Sequence, residues 1–207
     1  MIELLHQDCM TYMKGCEDNA FDLAIVDPPY GIGDKMFGGG KEGDKIKMVR
    51  SLYDKMEGWD HSIPTKEYFI EMFRVSCNQI IFGGNYFDLP PTRGIICWDK
   101  QQFYPNFSQW EMAWTSFDKP AKLFKLRSSD PSRTHPTQKP VKLYEWLLTN
   151  YAEPNQKILD THGGSMSSAV ACHYFGCDLV LCEIDEDYYK SGCERFEAET
   201  SQIDLFA

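Results

Sequence analysis

The sequence predicts an α/β protein built on a doubly wound, mostly parallel sheet, and three observations carry that prediction. Short apolar runs at Ala24-Ile25-Val26, Ile80-Ile81-Phe82, Ile158-Leu159 and Leu179–Cys182 alternate with helical patterns, the order that strand–crossover–strand units require. The first, third and fourth runs end on an acid, Asp27, Asp160 and Glu183, at the strand ends where open α/β sheets bind ligands. At 207 residues, the chain is long enough for one full domain and its core.

Taken in order, Met1–Leu5 reads as a strand ending at His6-Gln7-Asp8, and Cys9–Cys16 as a short helix. Asp18-Asn19 turn the chain into the Ala24–Val26 strand, which Pro28 must end because proline cannot donate to a sheet ladder. Residues 31–62 hold Gly38-Gly39-Gly40 and many charges but little apolar periodicity, so they read as a functional or mobile loop. Pro64 to Cys77 reads as an amphipathic helix with Tyr68, Phe69, Met72, Phe73 and Val75 on its apolar side.

Ile80–Phe82 and Ile95–Trp98 are strands, and Glu111–Trp114 an antiparallel edge strand. The stretch from Ser116 to Pro136 is polar, basic and poorly periodic. Pro140 opens a helix through Leu143, Trp146, Leu147 and Tyr151, since proline suits a first helical position. After the Ile158–Asp160 strand, a helix carrying Ala169 to Phe175 ends near Gly176, and the last helix runs from about Asp187 toward Thr200.

Composition narrows the function classes. Hydrophobic residues make up 43% and charged residues 25%, as in ordinary soluble domains. No apolar run reaches the ~20 residues of a membrane span, and the N-terminus does not resemble a signal peptide, which points to a cytoplasmic protein without a membrane partner. The 8 cysteines form no CxxC pair, so core packing is favoured over a metal site or a disulfide framework. A net charge of −10 weighs against a nucleic-acid partner. The charges are unevenly spread, however, with acids crowding the stretch from Asp178 to Glu199, and Lys119, Lys122, Lys125, Arg127, Arg133, Lys139 and Lys142 making the middle basic. A polarised surface of that kind can hold a polyanion on one face.

Two stretches carry chemistry. Asp27-Pro28-Pro29-Tyr30 puts a carboxylate, a free carbonyl and an aromatic ring at a strand end. Asp160-Thr161-His162-Gly163-Gly164-Ser165 joins a strand to a helix through a Gly-rich turn, and Glu183 ends the next strand about 20 residues later, the spacing at which such sheets contact a ribose diol. This is a nucleoside-cofactor pattern. The chain lacks both a complete GxGxxG and a GxxxxGK[ST], so dinucleotide and ATP phosphate sites are poorly supported.

At these residues the chain resembles the amino-methyltransferases that use S-adenosylmethionine to methylate DNA bases, in their circularly permuted β-class arrangement. Asp27-Pro28-Pro29-Tyr30 matches the catalytic motif and His6-Gln7-Asp8-Cys9 the segment before it. Ile80–Phe87 matches a further block, and His135-Pro136-Thr137-Gln138-Lys139-Pro140-Val141 is the most distinctive. Glu183-Ile184-Asp185 with Tyr188 and Tyr189 completes a series that runs in family order over nearly the whole chain. The cofactor loop reads Asp160-Thr161-His162-Gly163-Gly164-Ser165-Met166-Ser167 where the family more often has Asp-Pro-Phe-x-Gly-Ser-Gly-Thr.

The resemblance implies a single methyltransferase domain over residues 1–207, with a seven-stranded Rossmann-like sheet and the catalytic half first. It implies transfer from S-adenosyl-L-methionine to adenine N6 of a flipped base in double-stranded DNA, without a metal. Asp27 and the Pro28 carbonyl are then the acceptors of the amino hydrogens, Pro29 part of the same turn, and Tyr30 the stacking ring. For the cofactor it implies Asp8 and the Cys9 backbone at adenine, Glu183 at the ribose, and Thr137, Gln138 and Lys139 at the methionine carboxylate, with Asp160, His162, Gly163, Gly164 and Ser165 shaping the methionine pocket. The resemblance makes residues 116–134 a short candidate target-recognition segment and residues 31–62 a mobile or DNA-contacting loop, so specificity is expected partly in Gly33 to Ser62, in a short recognition sequence, or across a homodimer. Cytosine-N4 methylation and a catalytically silent, nucleic-acid-binding homologue are the alternative readings.

Overall fold

The computed structural model describes residues 1–32, 62–102, 108–127 and 138–201. In chain order the elements are β1 (Ile2–His6), α1 (Cys9–Lys14), β2 (Phe21–Val26), α2 (Lys66–Val75), β3 (Ser76–Phe82), β4 (Ile95–Asp99), β5 (Trp110–Thr115), β6 (Lys122–Lys125), α3 (Val141–Tyr151), β7 (Lys157–Asp160), α4 (Ser167–Phe175), β8 (Asp178–Glu183) and α5 (Glu186–Thr200). The strands form one eight-stranded sheet in the order β1-β8-β7-β2-β3-β5-β4-β6. From β1 through β3 every neighbouring pair is parallel. Only β5 runs against its neighbours, β3 and β4.

The central strands are apolar on both faces because helices cover both. Leu23 and Ile25 of β2 pack into a core with Leu143, Leu147 and Leu148 of α3 and Ala169 and Cys172 of α4. On the other face, Ala24 and Val26 pack with Met13 of α1 and Tyr68, Met72 and Val75 of α2. Arg74 of α2 ties that layer together by donating to the Met13 and Cys16 carbonyls, each at 2.8 Å, and pairing with Glu71 and Asp18.

Three expectations are corrected. The sheet has eight strands rather than seven, because Lys122–Lys125 adds an edge strand beside β4 inside a stretch too polar to read as one. Glu111–Trp114 is antiparallel but internal, since β5 lies between β3 and β4. The helix expected to reach Cys77 ends at Val75, and Ser76 already pairs with Phe21. No glycine or proline marks that change, so sheet pairing alone sets the boundary. Residues 33–61 of the expected loop, and residues 128–134 of the recognition segment, lie outside the described residues. The cysteines carry free thiols, and only Cys172, Cys177 and Cys182 are buried. Among the described residues no helix is long and apolar enough to cross a membrane.

The turn into α4 carries a local peculiarity. Met166, the N-cap of α4, is left-handed at φ 59° and wholly buried, a conformation that disfavours residues with a Cβ. Its side chain occupies the space beside Gly192 of α5, where a Cβ would fall 2.5 Å from Met166 Cγ and 3.1 Å from the Gly164 carbonyl oxygen. Gly192→Ala is therefore expected to destabilise the fold by about 1–3 kcal/mol. Urea denaturation should show a lower midpoint at unchanged slope, and an unchanged midpoint would refute the packing account.

Candidate active site

Because β1, β8, β7, β2 and β3 run parallel, their carboxyl ends share one edge of the sheet. The same edge takes the end of β4 and, because β5 is antiparallel, its beginning. Asp8, Glu183, Asp160, Asp27, Lys100 and Glu111 all sit at or just beyond these strand ends. They fall into two groups.

The first group surrounds Asp27. Val26 ends β2, and the turn returns Tyr30 so that its hydroxyl lies 2.6 Å from Asp27 Oδ1 and 2.8 Å from Glu111 Oε1. Lys139 is buried, with its ammonium in contact with Asp27 Oδ2 and 2.9 Å from Glu111 Oε1. It lies 4.5 Å from the Phe82 ring centroid. Lys100 Nζ pairs with Glu111 Oε2 at 2.7 Å. Tyr86 stacks on Tyr30 with ring centroids 5.0 Å apart, and Phe87 meets it edge-on at 6.1 Å. Gly83 lies against the Tyr30 ring so closely that a Cβ there would fall 2.2 Å from Tyr30 Cε1.

Charge in this group is unevenly held. Burial, opposed by Lys139 and reinforced by Glu111, leaves the Asp27 carboxyl above the usual range. Burial also favours the protonated form of Glu111, but Lys139 and Lys100 together outweigh it and hold that carboxyl at about 2. Lys139 is disfavoured by burial yet raised by its two carboxylates, so it stays charged. Burial and the same two carboxylates raise the Tyr30 hydroxyl, which remains a neutral donor.

The second group lines the ends of β1, β7 and β8. Glu183 accepts the Gly164 amide at 2.7 Å on Oε2 and the Asp185 amide at 2.8 Å on Oε1. Each carboxylate oxygen keeps a further lone pair for a hydroxyl group. Asp160 accepts the His162 amide at 3.0 Å and the Ser168 hydroxyl at 2.5 Å. Burial, only partly countered by those bonds, raises it to about 6. Asp8 caps α1, its Oδ1 accepting both the Thr11 amide and hydroxyl at 2.8 Å. Cys9 follows as the first residue of that helix. His162 Nδ1 lies 2.8 Å from the Thr161 hydroxyl, which is itself 2.7 Å from the Tyr68 hydroxyl. Ser165 is buried, and its carbonyl accepts from Arg195 at 2.6 Å.

Of the residues singled out in the sequence, Asp27, Tyr30 and Lys139 are brought together, with Pro28 and Pro29 forming the turn between the first two. Asp160, His162, Gly163, Gly164, Ser165 and Glu183 form one loop system. Gly163 has a packing reason as well as the expected one, since a Cβ there would fall 2.1 Å from Leu181 Cδ2. Gln138 is buried, and Thr137 lies outside the described residues. Sequence reasoning missed Glu111, Lys100 and Tyr86 as site residues. Strand alternation was the available signal, since it places the Glu111 carboxylate on the face of Ala113, which is buried.

Residues 98–194 match the model of the N6/N4 methyltransferase family, described as DNA methylase. The chain is 25% identical over 221 residues to a protein of Escherichia coli (strain K12) described as a methylase, YubD, covering 96% of this chain and 91% of the relative. Its fold is similar to that in the M1.HpyAVI–SAM complex, with a TM-score of 0.61 and 18% identity over 94% of this chain and 98% of the other. It is equally similar, at a TM-score of 0.61 and 12% identity over 97% and 90% of the two chains, to the PvuII DNA methyltransferase, which is cytosine-N4-specific.

Burial lowers His162 from 6.5 to about 4, with the Asp8 charge opposing. A depressed pKa stabilises the fold above the unfolded value, and that contribution is lost as pH falls through the folded value. Asp160, raised instead, acts in the opposite sense over an overlapping range, but it is common to the wild type and to His162→Phe. The melting temperature of His162→Phe relative to wild type should therefore rise progressively between pH 6.5 and about 4. A difference that stays constant across that range would overturn the assignment.

Proposed function

We propose that the chain is a member of the N6/N4 DNA methylase family, whose model matches residues 98–194, and that it transfers a methyl group from S-adenosylmethionine to the N6 amino group of adenine in double-stranded DNA. The observation that carries this reading is the half-buried Asp27 carboxylate at the end of β2, held beside the Tyr30 hydroxyl and the Lys139 ammonium. Asp rather than Ser before Pro-Pro-Tyr favours adenine over cytosine N4, by resemblance to the family.

S-adenosylmethionine supplies an electrophilic sulfonium methyl. Glu183 suits its ribose diol, because the two amides fix the carboxylate and leave lone pairs outward. Asp8 and the Cys9 backbone, at the start of α1, suit its adenine. The loop from Asp160 to Ser165, fixed by the His162, Gly163 and Gly164 amide bonds, frames the methionine portion. Thr137 and Gln138 keep their proposed place at the methionine carboxylate. Lys139 changes place in this reading, since its charge is committed to Asp27 and Glu111. Breaking a buried pair to reach a third acid costs about 3–5 kcal/mol.

An adenine amino nitrogen delocalises its lone pair into the ring and is a weak nucleophile. The base must first leave the duplex, at a cost of a few kcal/mol. Stacking against the Tyr30–Tyr86 aromatic pair returns about 1–3 kcal/mol. Asp27 and the Pro28 carbonyl then accept the two N–H bonds, which turns the lone pair toward the methyl group. The proton leaves after attack, when the nitrogen is strongly acidic, to Asp27 or to water.

A hydrogen bond to a charged acceptor contributes about 1.5–3 kcal/mol, so losing one made in the transition state slows transfer by about 10- to 150-fold. Asp27→Ala should lose at least that much while binding S-adenosylmethionine as wild type does, and Asp27→Asn serves where the alanine variant does not fold. Incubation with labelled S-adenosylmethionine and unmethylated DNA, digestion to nucleosides and chromatography give the readout. Methyladenine is the expected product of the wild type. Label on cytosine would move the target to N4, and no labelled nucleoside would refute the reading.

A further inference from the structure

A base that donates an amino hydrogen to Asp27 must share the carboxylate with two resident donors. The Tyr30 hydroxyl donates to Oδ1 and the Lys139 ammonium occupies Oδ2, so an entering amino hydrogen meets oxygens that are already engaged and accept more weakly than one whose donor has turned away. A buried donor stripped of its acceptor is expensive. The structure supplies the same second acceptor for both. Glu111 Oε1 lies 2.8 Å from the Tyr30 hydroxyl and 2.9 Å from Lys139 Nζ. The hydroxyl has one hydrogen and two carboxylates within reach, so a small rotation transfers it from one to the other. Lys139 already bridges both acids and need only release one.

We propose that Glu111 is a positioning residue that receives the hydrogen-bond donors of Asp27 when a base enters the pocket. The inference rests on the methyltransferase reading above and adds a role that reading did not contain. Glu111 is built for it. Its remaining oxygen is anchored by Lys100 at 2.7 Å, and Lys100 follows β4 directly while Glu111 lies in β5, its register partner there being Trp98. The anchor thus sits directly after a strand, on the residue that follows Asp99. With Lys100 and Lys139 on opposite oxygens, Glu111 holds its full charge in both states of the pocket. Asp27 is left to one task, accepting the amino hydrogens.

The same geometry distinguishes this role from that of a structural ion pair. Glu111→Gln retains size and the Oε1 acceptor, but it removes the negative charge that attracts Lys139 and turns an amide donor toward Lys100. Single-turnover transfer from labelled S-adenosylmethionine to unmethylated plasmid DNA should fall by about tenfold or more, with the dissociation constant for S-adenosylmethionine within about twofold of wild type. Tyr30→Phe removes one of the two donors and keeps the ring. In that background Glu111→Gln should therefore slow transfer by a markedly smaller factor, about threefold or less. Equal factors in the two backgrounds, or loss of cofactor affinity in step with rate, would overturn the inference. Should Glu111→Gln not fold, Glu111→Asp keeps the charge, withdraws the acceptor, and is read in the same cycle against Tyr30→Phe. A wild-type protein that transfers no methyl to DNA would instead overturn the function proposed above.

Discussion

Parallel pairing of β1, β8, β7, β2 and β3 is the constraint on which the site depends. Parallel strands need crossovers, crossovers put helices on both faces, and every strand then delivers its carboxyl end to the same edge. Asp8, Asp27, Asp160 and Glu183 converge there although they are spread over most of the sequence. Concentrating carboxylates at one buried edge has an electrostatic consequence. Burial raises Asp27, Asp160 and Glu183 alike. Glu111, flanked by two ammonium groups, is the one of these buried acids driven to about 2. The position of Lys139 follows from this, because an edge of desolvated acids needs a resident cation.

Much of the edge was legible in the sequence because apolar runs ending in an acid and a turn residue report both a strand and its chemistry. The strands ending at Asp27, Asp160 and Glu183 were recovered in this way, while β3 was read from an apolar run stopped by Gly83-Gly84-Asn85. The antiparallel extension was less legible. Lys122–Lys125 shows only a faint alternation at a sheet edge, with Leu123 56% exposed, and nothing local separates it from a polar loop. The Val75–Ser76 junction was invisible for the opposite reason. Its boundary is set by pairing with Phe21, 55 positions earlier, and no local signal encodes that. The family resemblance implied a place for Lys139 at the methionine carboxylate, and no local signal in the sequence showed that the fold pairs its ammonium with Asp27 and Glu111.

The loop from Asp160 to Ser167 illustrates how a departure from a family pattern can be absorbed. Methionine stands at Met166 in a left-handed conformation, which costs about 1–2 kcal/mol. The buried thioether chain offsets this by filling space that Gly192 leaves open, and burying such a side chain contributes about 1.5–3 kcal/mol. The two effects are of the same size. The left-handed turn is therefore kept without glycine, and the Gly164 amide still points at Glu183.

The two groups at the edge are held by different means, and the difference matches what each must do. Asp160 and Glu183 are fixed largely by backbone amides of their own loops, from His162, Gly164 and Asp185. Such bonds cannot be reassigned without moving the chain, so this half is a rigid, prearranged surface, as the proposed cofactor site requires. Asp27 is held by a side-chain hydroxyl and an ammonium, both of which turn on flexible bonds and both of which have Glu111 within reach. On the proposed function, a site for a base that arrives by leaving a duplex uses that freedom. A second carboxylate lets the resident donors turn away from Asp27 while remaining paired.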